Sequence, residues 1–182
     1  MAGGVRGVAT RRKALALGGG GLVAALPLAG MAQPAQSPEG SAETGDCAGR
    51  DALAERRLHA YMDAFNTSNY AQLAQYYADD VVLVIGNGTE LRGAQAIVDF
   101  YRQVKANTQR TIKILGTFPG RDGIAAELES EFLALEDVPD FTSGPMRKGD
   151  RLYINSFVIY ETRGDRYAQI RSAVYKRIWR RA

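Results

Sequence analysis

The apolar positions along this chain fall first into helical and then into strand spacing. Leu58, Tyr61, Met62 and Phe65 repeat at i, i+3, i+4 and i+7, the stripe of a helix with one buried side, and predict a helix over 51–66. Glu55, Arg56, His59, Asp63 and Asn66 lie on its wet side. Thr67, Ser68 or Asn69 caps a short second helix over 70–78, with Leu73, Ala74 and Tyr77 turned inward. Asp79 and Asp80 then turn the chain into Val81, Val82, Leu83, Val84 and Ile85, a run that reads as a strand buried on both faces. Asn87-Gly88 signals a hairpin, returning over 89–92. Gly93 opens a third helix, with Ala94, Ile97, Val98, Tyr101 and Val104 at helical spacing.

Beyond residue 110 the period is two. A strand over 110–118 turns through Pro119-Gly120-Arg121-Asp122-Gly123 into a second over 124–135, where Ala126, Leu128, Ser130 and Phe132 alternate with Glu127, Glu129 and Glu131. One face is packed and the other acidic. Residues 136–149, with two prolines and two glycines, form a long loop suited to the lip of a pocket. Strands over 151–161 and 166–178 complete the domain. The first of these is largely apolar on both faces, so helices are expected on one side and a second subunit on the other. The pattern predicts an α+β fold, three helices packed on a curved, mainly antiparallel sheet around a cone-shaped pocket, and a homodimer.

Composition places one domain in 182 residues, with 46% hydrophobic and 24% charged positions. The formal net charge of +3 depends on the N-terminus. Residues 1–32 hold Arg6, Arg11, Arg12 and Lys13 and no acid; without them 19 basic residues face 20 acidic ones, a net charge of −1. A nucleic-acid partner is therefore not expected. The same segment has a charged start, an apolar stretch from Ala14 to Leu28 and small residues before a cleavage site at Ala32. It reads as an export signal, its paired arginines resembling a twin-arginine signal, and predicts a periplasmic or secreted protein. The apolar stretch, about 15 residues, falls short of the ~20 of a spanning helix, so no stable membrane anchor is expected. Residues 33–49 read as a flexible linker, 50–178 as the domain and 179–182 as a tail. Cys47 is the sole cysteine, which excludes a disulfide within one chain.

Candidate chemistry is narrow. His59 is the only histidine, so a histidine pair or a multi-histidine metal site cannot be built within one chain. No metal or cofactor is expected. Three tyrosines, Tyr61, Tyr77 and Tyr101, lie on or near the apolar sides of the three predicted helices.

Tyr77-Ala78-Asp79-Asp80, Leu91-Arg92-Gly93 and Ile97-Val98-Asp99-Phe100-Tyr101-Arg102, in this order of elements, resemble the NTF2-like superfamily in its SnoaL-like and ketosteroid-isomerase branch, over about residues 50–178. The resemblance implies an NTF2-like cone. It makes Tyr61 the oxyanion tyrosine, with Tyr77 and Tyr101 hydrogen-bonded to it as a network and Phe65 in the pocket. The branch's catalytic base falls on Ile85, which takes no proton, and its oxyanion aspartic acid on Asn155 or Ser156. A slip of one residue exchanges those two between faces; Asn155 is preferred as a donor that needs no raised pKa. A base must then come from Glu129, Glu131 or Asp80, and Arg171 is a candidate for holding an anionic group. The implied function is a cofactor-independent isomerase, lyase, cyclase or dehydratase acting on a small apolar or aromatic carbonyl or phenolic compound by oxyanion stabilisation. The alternative is an exported, non-catalytic protein that binds a hydrophobic small molecule. The fold hosts both kinds of protein.

Overall fold

A computed structural model describes residues 40–182; residues 1–32, expected to be an export signal, and residues 33–39 lie outside the described residues. Helix α1 spans Gly40–Asn66. It begins inside the stretch expected to be linker, eleven residues before the predicted start, and carries Cys47 exposed on its surface. Its second half buries Leu58, Tyr61, Met62, Ala64 and Phe65, the predicted stripe with Ala64 added, while His59 is exposed. Helix α2 (Tyr70–Gln75) is capped by the Asn69 side chain, which accepts from the Gln72 amide at 3.2 Å.

α2 ends sooner than expected. Strand β1 runs Tyr77–Val84, so Tyr77 stands on a strand and not on a helix. Its first residues pair with the last strand, Tyr77 opposite Tyr167, and this tertiary pairing overrides the helical pattern of 70–78. Asn87-Gly88 turns the chain as expected, with Gly88 at φ +87°. Strand β2 (Glu90–Arg92) and helix α3 (Ala94–Asn107) follow, and α3 buries Ile97, Val98 and Tyr101.

Four long strands complete the sheet: β3 (Thr108–Gly120), β4 (Gly123–Ala134), β5 (Arg151–Arg163) and β6 (Arg166–Arg180). The order is β2-β1-β6-β5-β4-β3, antiparallel throughout except where β1 meets β6. Helices cover one face. Asn66 at the end of α1 clips β3 in place, donating to the Ile112 carbonyl at 2.9 Å and accepting from the Ile112 amide at 2.8 Å. Lys105 of α3 donates to the Phe65 carbonyl at 2.6 Å, a cation at the C-terminal end of α1 where the helix dipole favours one.

The expected basic tail is part of the fold. β6 continues to Arg180, and the buried Asp150 accepts from the Arg181 guanidinium at 2.7 Å and the Ala182 amide at 2.9 Å. The Arg147 amide donates to the same carboxylate at 3.0 Å. These bonds hold the Asp150 carboxyl down at about 2.

Candidate active site

Between the helices and the covered face of the sheet lies a cavity of about 450 Å³, within the range of small-molecule sites. Met62, Phe65, Leu83, Phe100, Ile112, Leu128, Phe132 and Ile154 give it apolar walls. Phe141, Thr142 and Ser143 of the 136–149 loop form its lip, where the long loop was expected.

Polar groups cluster at one side. Tyr61 is 2% exposed, and its hydroxyl shares a 2.9 Å hydrogen bond with that of Tyr77. The bond joins α1 to β1 across 16 residues of sequence. Burial pushes the Tyr61 phenol well above its ordinary pKa, and the neighbouring phenols of Tyr101, Tyr77 and Tyr160 push it further. Tyr77 is raised by the same burial. Tyr101 is raised by burial and drawn back by the Arg110 guanidinium and the neighbouring Tyr61 and Tyr77 hydroxyls. Of the expected network, the hydrogen bond formed among the described residues is Tyr61–Tyr77, and Tyr101 stands beside it. All three phenols therefore keep their protons at neutral pH and can act as donors. Tyr61 and Tyr101 face the cavity; Tyr77 touches it only through Tyr61.

The strands resolve the ambiguity of register. Leu128 pairs with Ser156, Ser130 with Ile154 and Ala126 with Val158, and this set faces the helices. Ser156 lines the cavity. The preferred Asn155 does not: it pairs with Glu129 on the opposite face and donates to that carboxylate at 3.4 Å. The β4–β5 ladder runs without a register shift, so the pairing with β4 decides which of the two faces the helices. The shift beside them in β5–β6 leaves Tyr175 of β6 as the extra residue. Glu131, offered as a base, is also on the outer face, where it accepts from Arg151 and from Tyr153 Oη. Arg171 points outward too and is bonded to Glu161. Asp80 is exposed and paired with Arg163 at 3.0 Å, which lowers its pKa. Ile85 lines the cavity, so the position at which the resemblance puts a base is apolar.

Two residues were missed. Tyr160 of β5 is 3% exposed, lines the cavity and packs edge-on to Tyr61 with ring centroids 5.9 Å apart. Burial raises its phenol well above the ordinary value as well. Its place in the period-two series Ser156, Val158, Tyr160 on one strand face was the signal available. Arg110 of β3 also lines the cavity, and its place opposite Phe132 in the β3–β4 hairpin was open to the same parity reasoning. Among the described residues, no group of three histidines, cysteines or carboxylates is placed to hold a metal ion. No helix among them is long and apolar enough to cross a membrane.

The sequence matches the SnoaL-like domain over residues 58–170, from the buried stripe of α1 to the middle of β6. The chain belongs to the SnoaL-like domain family. Among curated proteins no match to the sequence was found. Solved structures share its architecture. An LEH-like epoxide hydrolase of M. tuberculosis is 15% identical with a TM-score of 0.56, over 69% of this chain and 84% of that one. A candidate polyketide cyclase of Xanthomonas campestris is 16% identical with a TM-score of 0.61, over 70% and 93%. A computationally designed 17-OHP binder is 17% identical with a TM-score of 0.55, over 70% and 98%. At these identities the likeness establishes the NTF2-like cone that this SnoaL-like protein adopts, and its chemistry has to be argued from its own cavity.

Proposed function

We propose that this SnoaL-like protein is a cofactor-independent enzyme of the isomerase, cyclase, dehydratase or lyase type, acting on a small, largely apolar carbonyl or phenolic compound. The observation that carries the reading is the Tyr61–Tyr77 hydrogen bond, 2.9 Å long, at the polar side of an apolar cavity. When Tyr77 donates to the Tyr61 oxygen, the Tyr61 proton is free for a ligand oxygen. That bond strengthens as negative charge develops there, in a site where water competes little. Tyr101, Tyr160 and Ser156 stand by as further donors. Among the described residues no carboxylate, histidine or lysine lines the cavity, so the proton leaves to water at the lip or to a basic atom of the substrate.

The direct test is hydrogen–deuterium exchange at C2 of 1-indanone in deuterium oxide. The C2–H bond breaks, the proton passes to solvent, the oxyanion is held at Tyr61, and deuterium returns to C2. Catalysed exchange that falls by about 10²–10³ in Tyr61→Phe supports the enzyme. That no carboxylate, histidine or lysine among the described residues lines the cavity as a base favours a second reading, a non-catalytic binding protein. Binding of 1-indanone with exchange no faster than in buffer would establish it.

Two further expectations belong to this reading. Residues 1–32 act as an export signal, testable by the N-terminal mass of the protein recovered from the periplasm or medium. The outer face of the sheet is the seat of a homodimer, since Phe118, Phe157, Ile159 and Tyr175 are 55%, 46%, 44% and 51% exposed there.

A further inference from the structure

The cavity of the SnoaL-like domain holds positive charge with no counter-charge. Among the described residues its lining includes Arg110 and Arg177 and no aspartate or glutamate. Arg177 is exposed, and solvent screens it. Arg110 is different. Its guanidinium lies 4.7 Å from the Phe132 ring, 5.1 Å from Phe65 and 5.9 Å from Tyr101. One terminal nitrogen donates to Ser130 Oγ at 3.3 Å, while Nε is shielded from solvent and has no hydrogen-bond partner among the described residues. Its surroundings lower its pKa by desolvation, yet a guanidinium stays charged in proteins. Arg110 is half-buried as a residue, but a charge drawn out of water is ordinarily paired, and the aromatic faces answer only part of this demand.

The exposed arginines of the same protein show the contrast. Arg151, Arg163, Arg166 and Arg171 are each bonded to a carboxylate on the surface, where such pairs contribute little. The arginine in the most desolvating position is left without one.

We propose that the cavity selects an apolar ligand bearing a carboxylate, which Arg110 anchors with Ser130 beside it. The planar fork of Arg110 matches two carboxylate oxygens. The rings of Phe65, Tyr101 and Phe132 hold that fork in place, so little freedom is lost when the anion arrives. The inference rests on the reading of the cavity as a ligand site and adds the charge of the ligand. It also divides the polar side into two stations: Arg110 for a full negative charge already present, and Tyr61 with its neighbours for an oxygen that is neutral in the ground state.

The test is calorimetric binding of 2-naphthoate and of its neutral counterpart, methyl 2-naphthoate, to the folded protein and to Arg110→Met, Arg110→Lys and Arg177→Met. The expected result is a preference of the unaltered protein for the acid by about 10–100-fold, the scale of a charge-assisted bond. Arg110→Met should erase that preference while ester binding persists; Arg110→Lys should restore part of it and Arg177→Met should keep it. Equal binding of acid and ester by the unaltered protein overturns the proposal and leaves the cavity reading intact, even if the Arg110 variants fail to fold. A preference lost in Arg177→Met and kept in Arg110→Met overturns the assignment to Arg110. Binding of neither compound overturns this proposal and the cavity reading together.

Discussion

The two faces of the same sheet differ more than any two elements of the molecule. On β4 the side facing the helices carries Ala126, Leu128, Ser130 and Phe132, all 5% exposed or less. The other side carries Glu127, Glu129 and Glu131, bonded to Tyr175, Asn155 and Arg151 of their own sheet. The ionised acids stand on the face where water and cations stabilise them. The cavity keeps phenols, hydroxyls and two arginines, of which Arg177 is exposed and Arg110 is packed among rings. A site of this composition can donate hydrogen bonds to a ligand's oxygens, and among the described residues no carboxylate lines it to remove a proton.

The comparison breaks most visibly in stability. Leu128→Ala and Glu129→Ala alter adjacent residues on opposite faces. The first should cost about 2–5 kcal/mol as transfer and cavity terms add, and the second within about 0.5 kcal/mol, read from urea midpoints. Equal effects would mean that the faces are not distinct. Next in size is the alkaline limb. The phenols of Tyr61, Tyr77 and Tyr160 are raised in the folded state, so their contribution is complete below the unfolded value near 10 and is lost as pH rises above it. Each phenol still protonated when its unfolded counterpart has ionised removes up to about 1.4 kcal/mol per pH unit. The melting temperature should therefore fall steeply above about pH 10, and less steeply in Tyr61→Phe.

The opposite sign governs the C-terminal clasp. Asp150, held at about 2, adds stability that is present above the unfolded carboxylate value of about 3.9 and is lost as pH falls toward 2. Asp150→Asn should flatten the acid limb of a pH-dependent melting series without touching the alkaline one. Smallest of all, and aimed at the outer face alone, Phe157→Glu adds charge beside the glutamate column. It should shift a dimer toward monomer in sedimentation equilibrium while leaving 1-indanone exchange unchanged. A monomer before the substitution would remove the dimer from the account.

How much of this was legible in the sequence follows from what fixes each feature. The Leu58–Phe65 stripe, the Asn87-Gly88 turn and the alternation on β4 are local patterns, and each folded as read. Tyr77 was assigned to a helix because the chain from Tyr70 keeps helical spacing through it. Its strand partner Tyr167 is 90 residues away, beyond any local pattern. Asn155 and Ser156 exchanged places for a related reason: the face each takes is set by pairing with β4, where Asn155 meets Glu129, 26 residues away. The outward turn of Glu131 was consistent with the alternation of β4, but only the position of the helices says which face is the cavity. Arg110 was overlooked because arginine at strand spacing reads as a solvated residue, and its aromatic surroundings come from α1, α3 and β4.

The central claim is that phenols on the helix-covered face, with Tyr61 foremost, donate to a ligand's oxygen. The most direct measurement is the ¹³C chemical shift of the carbonyl carbon of 1-indanone, labelled at that atom and bound to the protein. The account predicts a downfield shift on binding that is largely lost in Tyr61→Phe and kept in Glu129→Gln. A bound ketone whose carbonyl resonance is the same with and without the Tyr61 hydroxyl would contradict it.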